Sequence, residues 1–152
     1  MVSADMDMYE HRQLGITPLL IVVGVTLVAI IVSVHAGAPA LCALVIILVA
    51  AGGAFSSMTV RVSAAGVDWA YTFGLPRGHL DFRDIDRVEP VTTNLLEGWG
   101  IHWTWWHGWL WNVSGFDAVE IHRRGAGPVT LGTNDVAGLY DAIERYRRSS
   151  QT

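Results

Sequence analysis

The chain has no lysine, a single cysteine, and no charged residue between Ile16 and Phe55. Its formal net charge is −4 and all 10 basic residues are arginine, so it lacks the basic excess that is typical of nucleic-acid-binding proteins. We therefore expect no nucleic-acid partner. Because Cys42 has no second cysteine to pair with, a disulfide or a thiolate metal cage within one chain is excluded.

The long uncharged stretch predicts two transmembrane helices. The segment ITPLLIVVGVTLVAIIVSV at 16–34 is long enough to cross a hydrocarbon core of about 30 Å at a rise of about 1.5 Å per residue. The segment PALCALVIILVAAGGAF at 39–55 predicts a second span, and the four residues HAGA between them leave room only for a tight turn. We expect an antiparallel membrane hairpin, and the acidic flank before it argues against a signal peptide.

Arginines flank the predicted hairpin on one side only. Arg12 precedes the first span, Arg61 and Arg77 follow the second, and the connecting loop carries only His35. The positive-inside rule then places both termini in the cytoplasm. This predicts a multi-pass protein of the bacterial inner (cytoplasmic) membrane.

Beyond Phe55 the apolar residues recur with the period of two that is typical of strands. Ile85 and Val88 suit a short turn or strand edge that Pro90 limits. Helical spacing predicts an amphipathic C-terminal helix from Val136 to about Arg148, capped by a residue of the preceding GTND segment. The predicted strands are 58–62, 67–73, 79–82, 118–122 and 129–131.

Four segments carry a family resemblance: SSMTVRVSAAGVDWAYTFG, DFRDIDRVEPV, the tryptophan-rich run through VEIHRRGAGPVTLGTND, and LYDAIERY. In these the chain resembles bacterial membrane-associated proteins with a pleckstrin-homology-like (PH-like) domain, which often follows paired transmembrane helices. The resemblance implies a non-enzymatic scaffold. Family positions between the two glycine–tryptophan pairs are often basic, whereas this chain has HWTWWH there, and that departure argues against inherited binding of anionic lipid.

The predicted fold class is therefore a membrane α-hairpin of two transmembrane helices followed by an α+β domain. That domain is expected to be a small antiparallel PH-like β-barrel or sandwich, capped by the C-terminal helix. The predicted organisation is an N-terminal cytoplasmic segment, the transmembrane hairpin, the PH-like domain and a short tail, at 1–15, 16–55, 56–148 and 149–152.

No catalytic, cofactor or metal site is predicted. A triad of Ser114, a histidine and Asp117 lacks a nucleophile elbow, and glycines 98 and 100 form only G-x-G, which is too little for a phosphate-binding fingerprint. A metal site built from three histidines and either Asp117 or Glu120 has no recognised ligand spacing, so surface histidines or histidines with satisfied hydrogen bonds are the favoured interpretation. Those histidines are His102, His107 and His122.

Three arginines near the first strands are candidate contacts for an anionic group. They are Arg61, Arg77 and Arg83, and acidic residues lie beside them in sequence. Since lipid headgroup recognition relies on clusters of basic residues, we expect at most weak anion binding there.

Six of the seven tryptophans lie in GWGIHWTWWHGWLWNVSG at 98–115. Alternation predicts a hairpin with its turn at His107 and Gly108, one face of which can be ordinary core. The surplus indoles are candidates for contact with a membrane interface or a partner protein. The candidate residues are Trp99, Trp103, Trp105, Trp106, Trp109 and Trp111.

Three functions remain after these exclusions. The favoured one is a non-enzymatic integral membrane protein that presents its PH-like domain as a scaffold or accessory subunit of a membrane protein complex. The first alternative is a lipid-interacting module that uses the tryptophan hairpin, and the second is a lipid-modifying enzyme. The expected partners are the lipid bilayer and a membrane protein, with a homo-oligomer left open, and no cofactor is expected.

Overall fold

The computed structural model describes residues 8–36, 39–94 and 100–150. Three helices and nine strands lie within them. In chain order they are β1 Tyr9–Leu14, α1 Ile16–Ala36, α2 Pro39–Ala54, β2 Ser57–Ser63, β3 Gly66–Tyr71, β4 Arg77–Leu80, a 3-10 turn Phe82–Asp84, β5 Ile85–Thr92, β6 Gly100–Thr104, β7 Gly108–Asn112, β8 Asp117–Arg123, β9 Val129–Gly132 and α3 Val136–Ser149.

The first sheet is a four-stranded antiparallel meander in the order β1-β2-β3-β4. Its edge strand β1 was not predicted, because its apolar residues alternate too weakly to stand out. β1 pairs with β2 along its whole length, from Tyr9 opposite Val62 to Leu14 opposite Ser57. The two helices are thus an insertion between neighbouring strands, and the amide of Gly15 donates to the carbonyl of Ser56 at 2.8 Å where the chain returns.

The helices α1 and α2 pack along each other, and most of their large apolar side chains are exposed. The prediction that they form a transmembrane hairpin is wrong: in residues 8–36, 39–94 and 100–150 no helix has the length and apolar character needed to cross a membrane. A hairpin requires both helices to cross, and α2 has 16 residues, which rise only about 24 Å against a core of about 30 Å. The predicted integral-membrane function and inner-membrane localisation rested on this hairpin and are contradicted by the same finding.

The second sheet has five strands in the order β5-β8-β9-β7-β6. Here the predicted all-antiparallel arrangement is wrong, because β7 and β9 run parallel. Strands β7 and β8 follow each other along the chain but are not neighbours in the sheet, because β9 lies between them. Strand β9 pairs antiparallel with β8 and parallel with β7.

Strand β5 continues through Pro90, where only a short turn or strand edge was expected. It lies at the edge of its sheet, and an edge strand tolerates proline, which has no amide hydrogen to donate to a neighbouring strand. The predicted strands corresponding to β2, β3, β8 and β9 are confirmed, as is α3. The strand predicted at 79–82 lies two residues earlier, at Arg77–Leu80, because Phe82 begins a 3-10 turn. The cap of α3 is Asp135, whose carboxylate accepts a hydrogen bond from the amide of Gly138 at 3.0 Å, as helix N-termini require.

The core lies between the two sheets and beneath α3. Strands β2 and β8 illustrate how it forms, since alternate residues of each belong to it: Met58, Val60 and Val62 on β2, and Val119 and Ile121 on β8. Aromatic pairs link its parts, with Trp69 and Trp111 edge-to-face at 5.6 Å and Phe82 stacked on Tyr146 at 5.7 Å. Fully buried aliphatic side chains of this core include Val62, Val67, Ile85, Val119, Ile121, Leu131, Leu139 and Ile143.

Candidate functional site: a histidine–glutamate cluster and an exposed tryptophan tip

Polar side chains meet on the face of the five-stranded sheet that points away from this core. Val119 and Ile121 on β8 belong to the core, so Glu120 and His122 alternate to the opposite face. The register places Glu89 of β5 directly across from Glu120, and Thr130 of β9 directly across on the other side. The pairing of three strands thus brings polar and ionisable side chains close together on one face of the sheet.

Glu120 is the centre of this group, and its side chain is only 6% exposed. His107 Nδ1 lies 2.6 Å from one carboxylate oxygen, and His122 Nε2 lies 2.8 Å from the other. The hydroxyl of Thr130 approaches the first oxygen at 3.5 Å. A buried carboxylate is tolerated only when it is paired and hydrogen-bonded, and here both of its oxygens have partners.

His122 also contacts a second carboxylate. Its Nε2 atom is 2.6 Å from Glu89 Oε1, and this hydrogen bond, helped by the nearby charge of Arg87, lowers the pKa of Glu89 below its usual range. The Arg87 guanidinium nitrogen lies 3.4 Å from the same oxygen and 3.3 Å from His122 Nε2. We call Glu89, His107, Glu120 and His122 the histidine–glutamate cluster.

His107 reaches the cluster from the turn that joins β6 to β7. Its amide donates to the Thr104 hydroxyl at 3.0 Å, and its carbonyl accepts a hydrogen bond from the Thr130 hydroxyl at 2.8 Å. The turn occupies residues 105–107 instead of the predicted 107–108, because Thr104 pairs with Gly108. Gly108 has φ +62°, and a Cβ there would collide with the carbonyl oxygen of Pro128, so the turn requires glycine.

In the sequence, His107, His122 and Glu120 were candidates for a metal site, but they lack a recognised ligand spacing. The structure brings these three together and adds Glu89, which was not among the sequence candidates. Glu89 is distant in sequence, and its place depends on a β-bulge between Ile85 and Arg87 that shifts the register of β5. No local pattern signals such a bulge.

The other residues considered for chemistry lie elsewhere. His102 is on β6, three strands from Glu120, and its buried Nε2 has no hydrogen-bond partner among the described residues. Asp117 is exposed at the start of β8. The hydroxyl of Ser114 donates to the carbonyl of Leu14 at 3.1 Å, so it is bonded to β1 instead of to a histidine.

The three candidate arginines do not form one site. Arg61 and Arg77 line a groove of about 430 Å³ on the four-stranded sheet together with Asp68. Two hydrogen bonds, at 2.8 and 3.2 Å, already join the Arg61 guanidinium to Glu10. Arg83 lies in the 3-10 turn, where it pairs with Asp81 at 3.0 Å.

The candidate tryptophans that the structure describes divide into one that packs against the core and an exposed group. Trp111 is partly buried and packs against Trp69 and Tyr71, and Trp99 lies outside the described residues. The others surround the turn between β6 and β7, and Trp103 and Trp105 meet edge-to-face at 4.8 Å. We call this group the indole tip; it consists of Trp103, Trp105, Trp106 and Trp109, which are 51%, 83%, 75% and 48% exposed.

Comparisons of the chain with protein-family models, with curated proteins and with solved structures find no match. The resemblance to PH-like proteins therefore stays a prediction, and function must be argued from the cluster and the tip themselves.

Proposed function

We propose that this chain is a non-enzymatic binding module whose indole tip contacts a partner protein. The observation that carries this proposal is the exposure of four neighbouring indoles at one hairpin end. Tryptophan is rarely left so open, because burying an aromatic side chain is among the largest single gains in folding or association.

The exposed area at the tip is large enough to matter for association. The four residues together expose the equivalent of about two and a half indole side chains, which at roughly 150–250 Å² each is about 400–600 Å². The largest apolar patch of an ordinary monomer is roughly 300–600 Å² and is often functional. A standard interface buries about 800 Å² on each partner, so the tip supplies half or more of one.

The chemistry of the tip limits what the partner can be. No acidic residue, lysine or arginine occurs between residues 98 and 114, so this segment brings no lysine or arginine of its own to the phosphates of a nucleic acid. Arg123, which lines a pocket together with Trp109, donates to the carbonyl of Gly127 at 2.7 Å. An indole combines an apolar ring with one N–H donor. The tip therefore fits a protein surface with an apolar centre and carbonyl or side-chain acceptors around it.

The hairpin holds the tip in place before any partner binds. The turn is anchored at His107 through Glu120 and Thr130, and strand β7 is paired on both sides. A rigid tip loses little conformational freedom on association, which favours affinity.

A photo-crosslinking amino acid placed at Trp105 tests this proposal in the cells that produce the protein. The matched control is the same amino acid at Phe73, which is 74% exposed but lies between β3 and β4. We expect one discrete crosslinked protein from position 105, its loss when Trp106 is also changed to alanine, and no such product from position 73. Absence of a product at position 105, or the same products from both positions, would contradict the proposal.

A further inference from the structure

The histidine–glutamate cluster has the form of a small cation site. Single ligand atoms of Glu89, Glu120 and His122 all lie within 4.8 Å of one another. His122 Nε2 is the shared point, 2.6 Å from Glu89 Oε1 and 2.8 Å from Glu120 Oε1. We propose that these three side chains bind one divalent transition-metal ion. This inference does not depend on the function proposed for the indole tip.

The contacts at His122 Nε2 require that atom to be both a hydrogen-bond donor and a hydrogen-bond acceptor. Two carboxylate oxygens require it to donate a hydrogen, while the guanidinium of Arg87 at 3.3 Å can only donate to it. A metal ion between the ring nitrogen and the two oxygens removes the conflict, because imidazole and carboxylate then all act as electron-pair donors. The Arg87 side chain is 62% exposed and can move into solvent.

The backbone already places the three ligands. Glu120 and His122 are two residues apart on β8 and share a face, and Glu89 is directly opposite Glu120 on the adjacent strand. Ligand atoms around a zinc ion at about 2.0–2.2 Å lie roughly 3.3 Å apart, so the present spacings of 2.6 and 2.8 Å need to open by less than about 1 Å. Glu89, whose side chain is 44% exposed, can supply that movement.

His107 acts on the site through Glu120. Its Nδ1 atom lies 2.6 Å from Glu120 Oε2, and this contact turns Glu120 Oε1 toward His122 Nε2. Groups that orient a ligand in this way commonly change metal affinity about 10–100-fold when they are removed. We therefore assign His107 as a positioning residue.

The donor set indicates which ions bind. One imidazole nitrogen with two carboxylate oxygens suits Zn²⁺ and its neighbours in the first transition row, whereas Mg²⁺ and Ca²⁺ prefer oxygen ligands alone. Three protein ligands leave a fourth position of a tetrahedral ion for water.

A second histidine in the chain provides a matched control. His79 on β4 also has two carboxylates nearby, but Asp68 approaches its Nδ1 at 2.8 Å and Asp81 its Nε2 at 3.8 Å. Because the two carboxylates approach different ring nitrogens, no single point is shared by three ligand atoms. Binding at a generic histidine–carboxylate pair would therefore involve His79 as readily as His122.

Calorimetric titration of the full-length, chelator-treated protein with ZnCl₂ tests the proposal. We expect one saturable site, no comparable binding of MgCl₂, and at least an approximately tenfold weaker affinity in Glu89→Gln and in His122→Gln. His79→Gln should bind as the unaltered chain does. Titration with CoCl₂ should give a visible absorption band that both cluster variants lose.

Circular dichroism of each variant separates loss of the site from loss of the fold, and Glu89→Gln is the decisive change because that side chain is partly exposed. A folded Glu89→Gln variant that binds Zn²⁺ as tightly as the unaltered chain overturns the proposal. So does the absence of saturable Zn²⁺ binding, or a loss of binding in His79→Gln equal to that in His122→Gln.

Discussion

The carboxylate of Glu120 is almost completely buried on the five-stranded sheet. Replacing Glu120 by glutamine tests how much its charge contributes to the free energy of unfolding. The change keeps the shape of the side chain but removes its charge. In the structure the carboxylate accepts from His107 at 2.6 Å and from His122 at 2.8 Å. Both bonds are short enough to be charge-assisted, and both oxygens are shielded from water.

The expected cost follows from the kind of bond that is lost. A hydrogen bond to a charged group contributes about 1.5–3 kcal/mol and one between neutral groups about 0.5–1.5 kcal/mol. The amide nitrogen of glutamine donates, so one histidine must become the acceptor, and exchanging two charge-assisted bonds for neutral ones should cost about 2 kcal/mol. The matched change is Glu89→Gln, which meets the same His122 from a side chain that is 44% exposed. Exposed pairs contribute about 0–1 kcal/mol, so this variant should lose far less.

Urea unfolding followed by circular dichroism, in the presence of a chelator, measures both free energies without a contribution from metal. Thermal unfolding should agree, with Glu120→Gln melting about 4–8 °C lower, since 1 kcal/mol corresponds to roughly 2–4 °C in a chain of this size. If Glu120→Gln and Glu89→Gln lose the same free energy, burial does not strengthen these bonds and the reasoning fails.

Two further changes test the hairpin turn and a surface pair. Gly108→Ala should lower the thermal midpoint, because φ +62° costs a side chain about 1–2 kcal/mol and its Cβ would meet the carbonyl of Pro128; an unchanged midpoint would argue against this turn. The Arg61 guanidinium lowers the pKa of Glu10 through its hydrogen bond, so Arg61→Gln should raise that pKa toward its ordinary value, as carboxyl NMR titration can measure. The stabilisation that the Arg61–Glu10 pair gives is complete above the ordinary pKa of Glu10 and is lost as pH falls through the lowered pKa. The free energy of unfolding of Arg61→Gln should therefore fall less steeply at acid pH than that of the unaltered chain. The same dependence on pH in both proteins would contradict the pairing.

Much of the local structure could be predicted because it depends on short windows of sequence. Strands such as β2 and β3 show alternation over a few residues, and α3 combines helical spacing with a capping residue. The same window-based reasoning failed for the transmembrane hairpin. An uncharged run shows that a segment is apolar and helical, yet α2 contains only 16 residues, and where a helix ends is decided by the strand that follows it.

The candidate sites could be predicted only in part. The tryptophan content of residues 98–115 pointed to the indole tip, but which indoles are exposed depended on where the turn falls. Trp111 is partly buried because it packs against Trp69 and Tyr71 of β3, while Trp105 and Trp106 lie in the turn. His107, His122 and Glu120 were considered together, but nothing in the sequence showed that they meet.

By itself, the sequence determined the chain's local character: short strands, a capped C-terminal helix, an apolar helical segment and a concentration of indoles. These features depend on the period of neighbouring residues, which the chain carries within itself. Only the tertiary structure decided that β1 joins β2 across the helices, that β9 inserts beside β7, and that Glu89 lies opposite Glu120. Pairing and register between distant strands depend on the packing of the whole core, and a shift of one residue would turn Glu120 and His122 to the other face of the sheet.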